Sequence, residues 1–114
     1  MDGLCAPAVT FFSFRRGGTL LAVGALQRLD SKHAEVKSMH TVETARGQGI
    51  GRRMLEHLIA VAREAGYKRI SLETGSMVEF APARALYTSA GFELCEPFAN
   101  YRASSNSTYM TLRL

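Results

Sequence analysis

The chain has 114 residues, 46% hydrophobic and 21% charged, which suits one globular domain with a modest core. No apolar run approaches membrane-spanning length, and Cys5 and Cys95 are too few and too scattered for a disulfide framework or a metal site. The net charge of +4 suits a polyanionic ligand, but the basic residues form no long run, which argues against nucleic acid as the partner. Met1-Asp2-Gly3 lacks the basic start and apolar region of a signal peptide, so a cytoplasmic protein with reduced thiols is expected. Cys95 lies in a short apolar stretch and is expected to be buried.

In chain order, Val9–Arg15 is rich in β formers, and Arg16-Gly17-Gly18-Thr19 is a hairpin turn signal. Leu20–Leu29 reads as a second strand, Asp30-Ser31-Lys32 as a turn and Ala34–Val42 as a third strand. Simple alternation along that strand puts Val36, Ser38, His40 and Val42 on one side, with Glu35, Lys37, Met39 and Thr41 on the other. Three strands with short turns make an antiparallel meander.

A helix is predicted from about Gly49, because Ile50, Met54, Leu55, Leu58, Ile59 and Ala62 recur at helical spacing and Gly66 supplies a stop. Tyr67–Thr74 follows as a strand with Ile70 and Leu72 inward, then a loop over Gly75–Phe80. Pro82 fits the first turn of a second helix that runs to Ala90 and ends at Gly91. Phe92–Cys95 is a short strand, Pro97–Ser107 a polar loop and Thr108–Leu114 the last strand. The order β-β-β-α-β-α-β-β predicts an α+β fold with a mixed, mostly antiparallel sheet.

The chemistry concentrates where the third strand meets the first helix, at Arg46-Gly47-Gln48-Gly49-Ile50-Gly51. Glycines let the backbone turn tightly, and a helix start adds unpaired N–H groups and the positive end of its dipole. The segment therefore reads as a phosphate cradle. A dinucleotide fingerprint would need a third glycine where Arg52 stands, and a Walker-type loop fails at the same position. The pattern that fits is Arg-x-x-Gly-x-Gly, carried by Arg46, Gly49 and Gly51.

That pattern resembles the pyrophosphate-binding motif of the GNAT family, the acetyl-CoA-dependent N-acetyltransferases. Ala85-Leu86-Tyr87, followed by Gly91-Phe92, resembles the family's second hallmark, a helix containing Leu-Tyr that ends in Gly-Phe. The resemblance covers residues 34 to 95, and the elements on either side agree with the family's order.

It implies that backbone N–H groups from Gly47, Gln48, Gly49, Ile50, Gly51 and Arg52, with Arg46 beside them, bind the pyrophosphate of acetyl-CoA. The third and fourth strands would splay to admit the pantetheine arm, which would pair with backbone near Met39 and Thr41. An N–H near Met39 would meet charge developing on the thioester oxygen. Tyr87 would be the general acid that meets the departing thiolate. Glu35 would take a proton from the amine, with Glu73 and His40 as alternatives. Direct transfer to a primary amine of a small molecule or peptide is the implied reaction. A non-catalytic acyl-CoA-binding module is the alternative.

The family normally carries a further strand and helices before the meander, whereas about eight residues precede Val9 here. The resemblance therefore implies a shortened single domain over residues 1–114, with less of the acceptor wall. An unprotected first-strand edge carrying Phe11, Phe12 and Phe14 points to a homodimer. Tyr101 and Arg102, in the last loop, are candidate acceptor contacts.

Overall fold

The computed structural model describes residues 9–114. The expectation for Cys5 lies outside them. Strands β1 (Val9–Arg16), β2 (Thr19–Arg28) and β3 (His33–Thr41) form the expected meander. Helix α1 (Ile50–Glu64), β4 (Arg69–Gly75), α2 (Ala81–Ser89), β5 (Glu93–Leu94) and β6 (Ser107–Arg113) follow. Short 3-10 turns over Glu43–Ala45 and Val78–Phe80 lead into the two helices.

The six strands form one sheet in the order β1-β2-β3-β4-β6-β5. Every neighbouring pair is antiparallel except β3 and β4, which are parallel. The crossovers β3-α1-β4 and β4-α2-β5 both advance the same way across the sheet. Right-handed connections then place both helices on one face. Ile50, Met54, Leu55, Leu58, Ile59 and Ala62 of α1 are all buried. They pack with Leu26, Val36, Ile70, Leu72 and Met110 from the sheet and with Tyr87 and Phe92 from the α2 region. Burying one such side chain contributes about 2 kcal/mol, so this single face holds most of the stabilising apolar surface.

Two expectations need correction. Cys95 is only half-buried, because β5 stops at Leu94 and the chain leaves the sheet edge before Pro97, which has no N–H for a ladder. The alternation along β3 also fails in its second half. Ala25 pairs with Lys37 but Val23 with His40, so β3 carries one extra residue between them. Ser38 absorbs it with φ of 57°, a β-bulge. After the bulge the faces exchange. Lys37 and His40 share the helix-free face, while Met39 packs against the core and Thr41 lies under Gly51 of α1.

Candidate active site

The parallel pairing of β3 with β4 covers only His33–Arg69, Ala34–Ile70 and Glu35–Ser71. Beyond Glu35 the two strands part, and β4 remains paired to β6 as far as Gly75. Among the described residues, the backbone of β3 past that point therefore has no strand partner on the β4 side. Val42 donates its N–H to Leu21 on the β2 side. Alternation then turns the polar backbone groups of Thr41 and Met39 toward the gap.

At one end of the gap lies the glycine segment. Among the described residues, no backbone N–H of residues 47–52 makes a well-aligned hydrogen bond to a protein acceptor, although residues 46–49 form a turn; the ladder resumes with Arg53 donating to Gly49 at 3.1 Å. The local cause is glycine chemistry. Gly47 and Gly49 have φ of 80° and 76°, and Gly49 caps α1 in the left-handed region that other residues enter at a cost. Gly51 is different: a Cβ there would make ordinary van der Waals contacts, 3.4 Å from Thr41 Oγ1 and 3.6 Å from Leu86 Cδ2, which place α1 directly against the end of β3 and α2. Arg46 donates from Nε to the Thr41 carbonyl at 3.2 Å, which fixes the loop to the end of β3. The Arg52 side chain spans to Ser89 Oγ of α2 at 2.5 Å, so its guanidinium ties the helices together. These groups surround a cavity of about 480 Å³ that reaches Leu86 and Tyr87.

A second cavity of about 550 Å³ continues between the parted strands and is lined by Glu35, Met39, Glu73, Tyr87 and Tyr101. Met39, Ala83 and Tyr87 line both cavities, so Tyr87 stands where they meet. Tyr87 is 8% exposed, and burial raises its phenol above the ordinary range. It stays a protonated donor throughout the physiological range. Its ring leans on Phe92 at 5.9 Å, the glycine-phenylalanine end of the same motif.

Glu35 reaches the gap from the opposite face of the sheet. It is 4% exposed, and its Oε2 accepts a hydrogen bond from the Tyr101 hydroxyl at 2.6 Å. Burial and that bond raise the Tyr101 phenol well above its usual range. Glu73 is exposed and accepts from Ser107 at 2.5 Å. His40 is exposed at the rim of the glycine-side cavity. Of the three candidate bases, only Glu35 is both buried and in the cleft. The parting of the strands lets a side chain from each face, Tyr87 and Glu35, line one space.

Some of this site escapes a linear reading. The bulge at Ser38 has no compositional signal. Tyr101 stands out in the last loop only as an aromatic among polar residues, and nothing in its spacing pairs it with Glu35. Arg84 donates to the carbonyls of Gly75 at 2.6 Å and Met77 at 3.0 Å, fixing the rim of the cleft. That contact also lacks a sequence signal.

Residues 3–92 match the family model described as Acetyltransferase (GNAT) family. Across 114 residues the chain is 46% identical to the uncharacterized N-acetyltransferase YsnE of Bacillus subtilis (strain 168), covering 100% of this chain and 76% of that protein. It is 42% identical over 108 residues to the uncharacterized N-acetyltransferase YedL of Escherichia coli (strain K12), covering 95% of this chain and 68% of the relative. Among solved structures, it superposes with TM-score 0.86 at 30% identity on a protein assigned as an acyl-CoA N-acyltransferase from Klebsiella pneumoniae subsp. pneumoniae MGH 78578, covering 93% and 72% of the two chains. A GNAT family acetyltransferase from Elizabethkingia anophelis, solved with acetyl-CoA bound, shares the fold at TM-score 0.79 and 20% identity, covering 91% and 75%.

Proposed function

The chain belongs to the GNAT family of acetyltransferases, and from that premise we propose that it moves an acetyl group from acetyl-CoA directly to a primary amine of a small molecule or peptide. The observation that carries this reading is the run of unpartnered N–H groups over residues 47–52, opening onto a gap between parted strands with Tyr87 at the junction.

Acetyl-CoA fits the two cavities in one direction. The pyrophosphate takes the N–H groups of residues 47–52 at the start of α1, where the helix dipole adds to the attraction. The pantetheine arm lies along β3 and uses the backbone groups at Met39 and Thr41 that β4 leaves unpaired. The thioester then stands near Tyr87, and the amine approaches from the Glu35 side. Glu35 accepts the ammonium proton, directly or through water, because an amine attacks only when neutral. The amine nitrogen bonds to the acetyl carbon, and the carbon–sulfur bond breaks. Tyr87 protonates or hydrogen-bonds the departing thiolate, and the second proton, released by the nitrogen as it becomes the amide, returns through water to the Tyr87 phenolate or to the thiolate, leaving neutral amide and CoA thiol. Proximity and orientation supply much of the acceleration.

The protein is read as a single domain over residues 1–114, acting in the cytoplasm and as a homodimer. A reducing compartment suits Cys95, which is a free thiol. The dimer is supported by β1, an edge strand on which Phe11 is 71% exposed. Phe12 and Phe14 turn the other way, toward His57 and Arg53 of α1, so Phe11 is the aromatic available to a partner. Light scattering tests this, and a mass that stays monomeric at every concentration rejects it.

The activity is tested by release of free CoA from acetyl-CoA with amino acids, polyamines, aminoglycosides and peptide N-termini as acceptors. Acetyl-CoA that raises the melting temperature while no amine releases CoA would leave a binding module instead.

A further inference from the structure

Glu35 carries a contact that acetyl transfer by itself does not demand. A carboxylate taken out of water needs hydrogen-bond partners to remain charged. Its register neighbours do not supply them. Ser71, opposite on β4, is engaged by His33 Nε2 at 2.7 Å and Thr111 Oγ1 at 2.8 Å. Among the described residues, the bond to Glu35 comes from Tyr101, 66 residues later in the chain.

Tyr101 is itself held firmly. Its ring packs edge-on against Phe98 at 5.3 Å and lies 5.5 Å from Tyr109. Phe98 is 8% exposed and packs on His33 and Tyr109 at 5.8 Å each. The Tyr109 hydroxyl donates to the Arg102 carbonyl at 2.9 Å, tying the backbone beside Tyr101 to β6. The loop after Pro97 is therefore stapled onto the helix-free face by aromatic rings.

The pair also stands at a junction. Glu35, Lys37 and Tyr101 line both the cleft between the strands and a cavity of about 540 Å³ on the helix-free face, which extends to Gln27, His33 and Asn100. An amine entering from that face meets Glu35 and Tyr101 before it reaches the gap.

We propose that Tyr101 is the positioning residue of the acceptor site: its hydroxyl fixes one oxygen of the Glu35 carboxylate at the junction of the two cavities. This rests on the reading of Glu35 as the proton acceptor. An O–H donated to a carboxylate favours its charged form and opposes burial, which favours the neutral one. With Oε2 held, Oε1 is left for the incoming ammonium or for a bridging water.

Among the described residues, the other charged and titratable groups lining the cavities beside the pair are Lys37 and His33 on β3, Arg28 and Asp30 at the end of β2 and its turn, Glu73 on β4 and Tyr87 on α2, with Tyr109 of β6 against the Tyr101 ring. Burial and then Arg69 hold His33 below its usual range, so it adds no charge near neutrality.

The test replaces Tyr101 by Phe, which removes the hydroxyl and keeps the ring. The Glu35 side-chain carboxyl is followed by NMR in full-length protein labelled with ¹³C-glutamate, with Glu35→Gln to assign its signal. Loss of a donor to the carboxylate is expected to move the midpoint upward in Tyr101→Phe. With the best amine of the panel, the acidic limb of kcat/KM should move up with it.

The reciprocal measurement follows the Tyr101 phenol by ¹³C-tyrosine labelling. Its midpoint should fall in Glu35→Gln, and this arm decides the matter if Tyr101→Phe does not fold. Midpoints that ignore loss of the partner overturn the proposal. So does a carboxyl midpoint that moves while the acidic limb stays in place. Failure of acetyl transfer itself shows separately, as wild-type protein that releases no CoA.

Discussion

The two ends of the cleft are built in different ways. The end proposed for the cofactor is nearly all backbone, supplied by one contiguous stretch, residues 47–52, shaped by two left-handed glycines and a helix start. The end proposed for the acceptor is all side chain, assembled from β3, β4, α2 and the loop before β6, with Glu35 and Tyr101 meeting on the helix-free face. A backbone cradle tolerates change in its side chains but not in its glycines. A side-chain site behaves in the opposite way. Substitutions at the two ends should therefore separate binding from turnover.

The sharpest separation is expected from Glu35→Gln. It keeps the shape of the buried side chain and removes its basicity. Turnover should fall about a thousandfold, with acetyl-CoA affinity unchanged by calorimetry. Weakened acetyl-CoA binding would place Glu35 in the cofactor half and break the division.

Tyr87→Phe should lower kcat by about a hundredfold with little change in affinity, since burial keeps the phenol protonated and available as a donor. Turnover that survives, or binding that is lost, would assign Tyr87 to packing against Phe92.

Gly49→Val tests the other end. A β-branched residue at φ of 76° costs about 1–2 kcal/mol and disturbs the cap of α1. Acetyl-CoA should bind about tenfold more weakly. At saturating acetyl-CoA, kcat should stay near that of the unsubstituted protein.

The smallest effect concerns the aromatic staple. Burial holds His33 below its usual range, so the folded state prefers the neutral ring. That preference contributes stability above the ordinary imidazole range and loses it as pH falls through the depressed value. The melting temperature should therefore fall slightly on acidification below the ordinary imidazole range. His33→Gln should flatten that part of the curve. An unchanged slope would leave the staple independent of His33.

Much of this was written locally in the chain. The order of elements followed from short turns, alternating strands and the spacing of Ile50, Met54, Leu55, Leu58, Ile59 and Ala62. The cradle followed from Arg46 to Arg52 because a glycine-rich turn before a helix specifies its own backbone geometry. The role proposed for Tyr87 beside sulfur rests on resemblance; its burial and its place between two cavities come from α2 packing on α1 and the sheet. Glu35 was visible as a carboxylate on β3, but its separation from Glu73 and His40 as a candidate base needed their burial.

The sequence by itself determined the fold's element order and the glycine-rich helix entry proposed for the cofactor, because both depend on contacts between near neighbours in the chain. Only the tertiary structure decided the acceptor end. The bulge at Ser38 exchanges the faces of β3, the short parallel pairing opens the gap, and the loop after Pro97 folds back to bring Tyr101 onto Glu35. Each depends on register and topology between distant segments, which a linear pattern of residues does not encode.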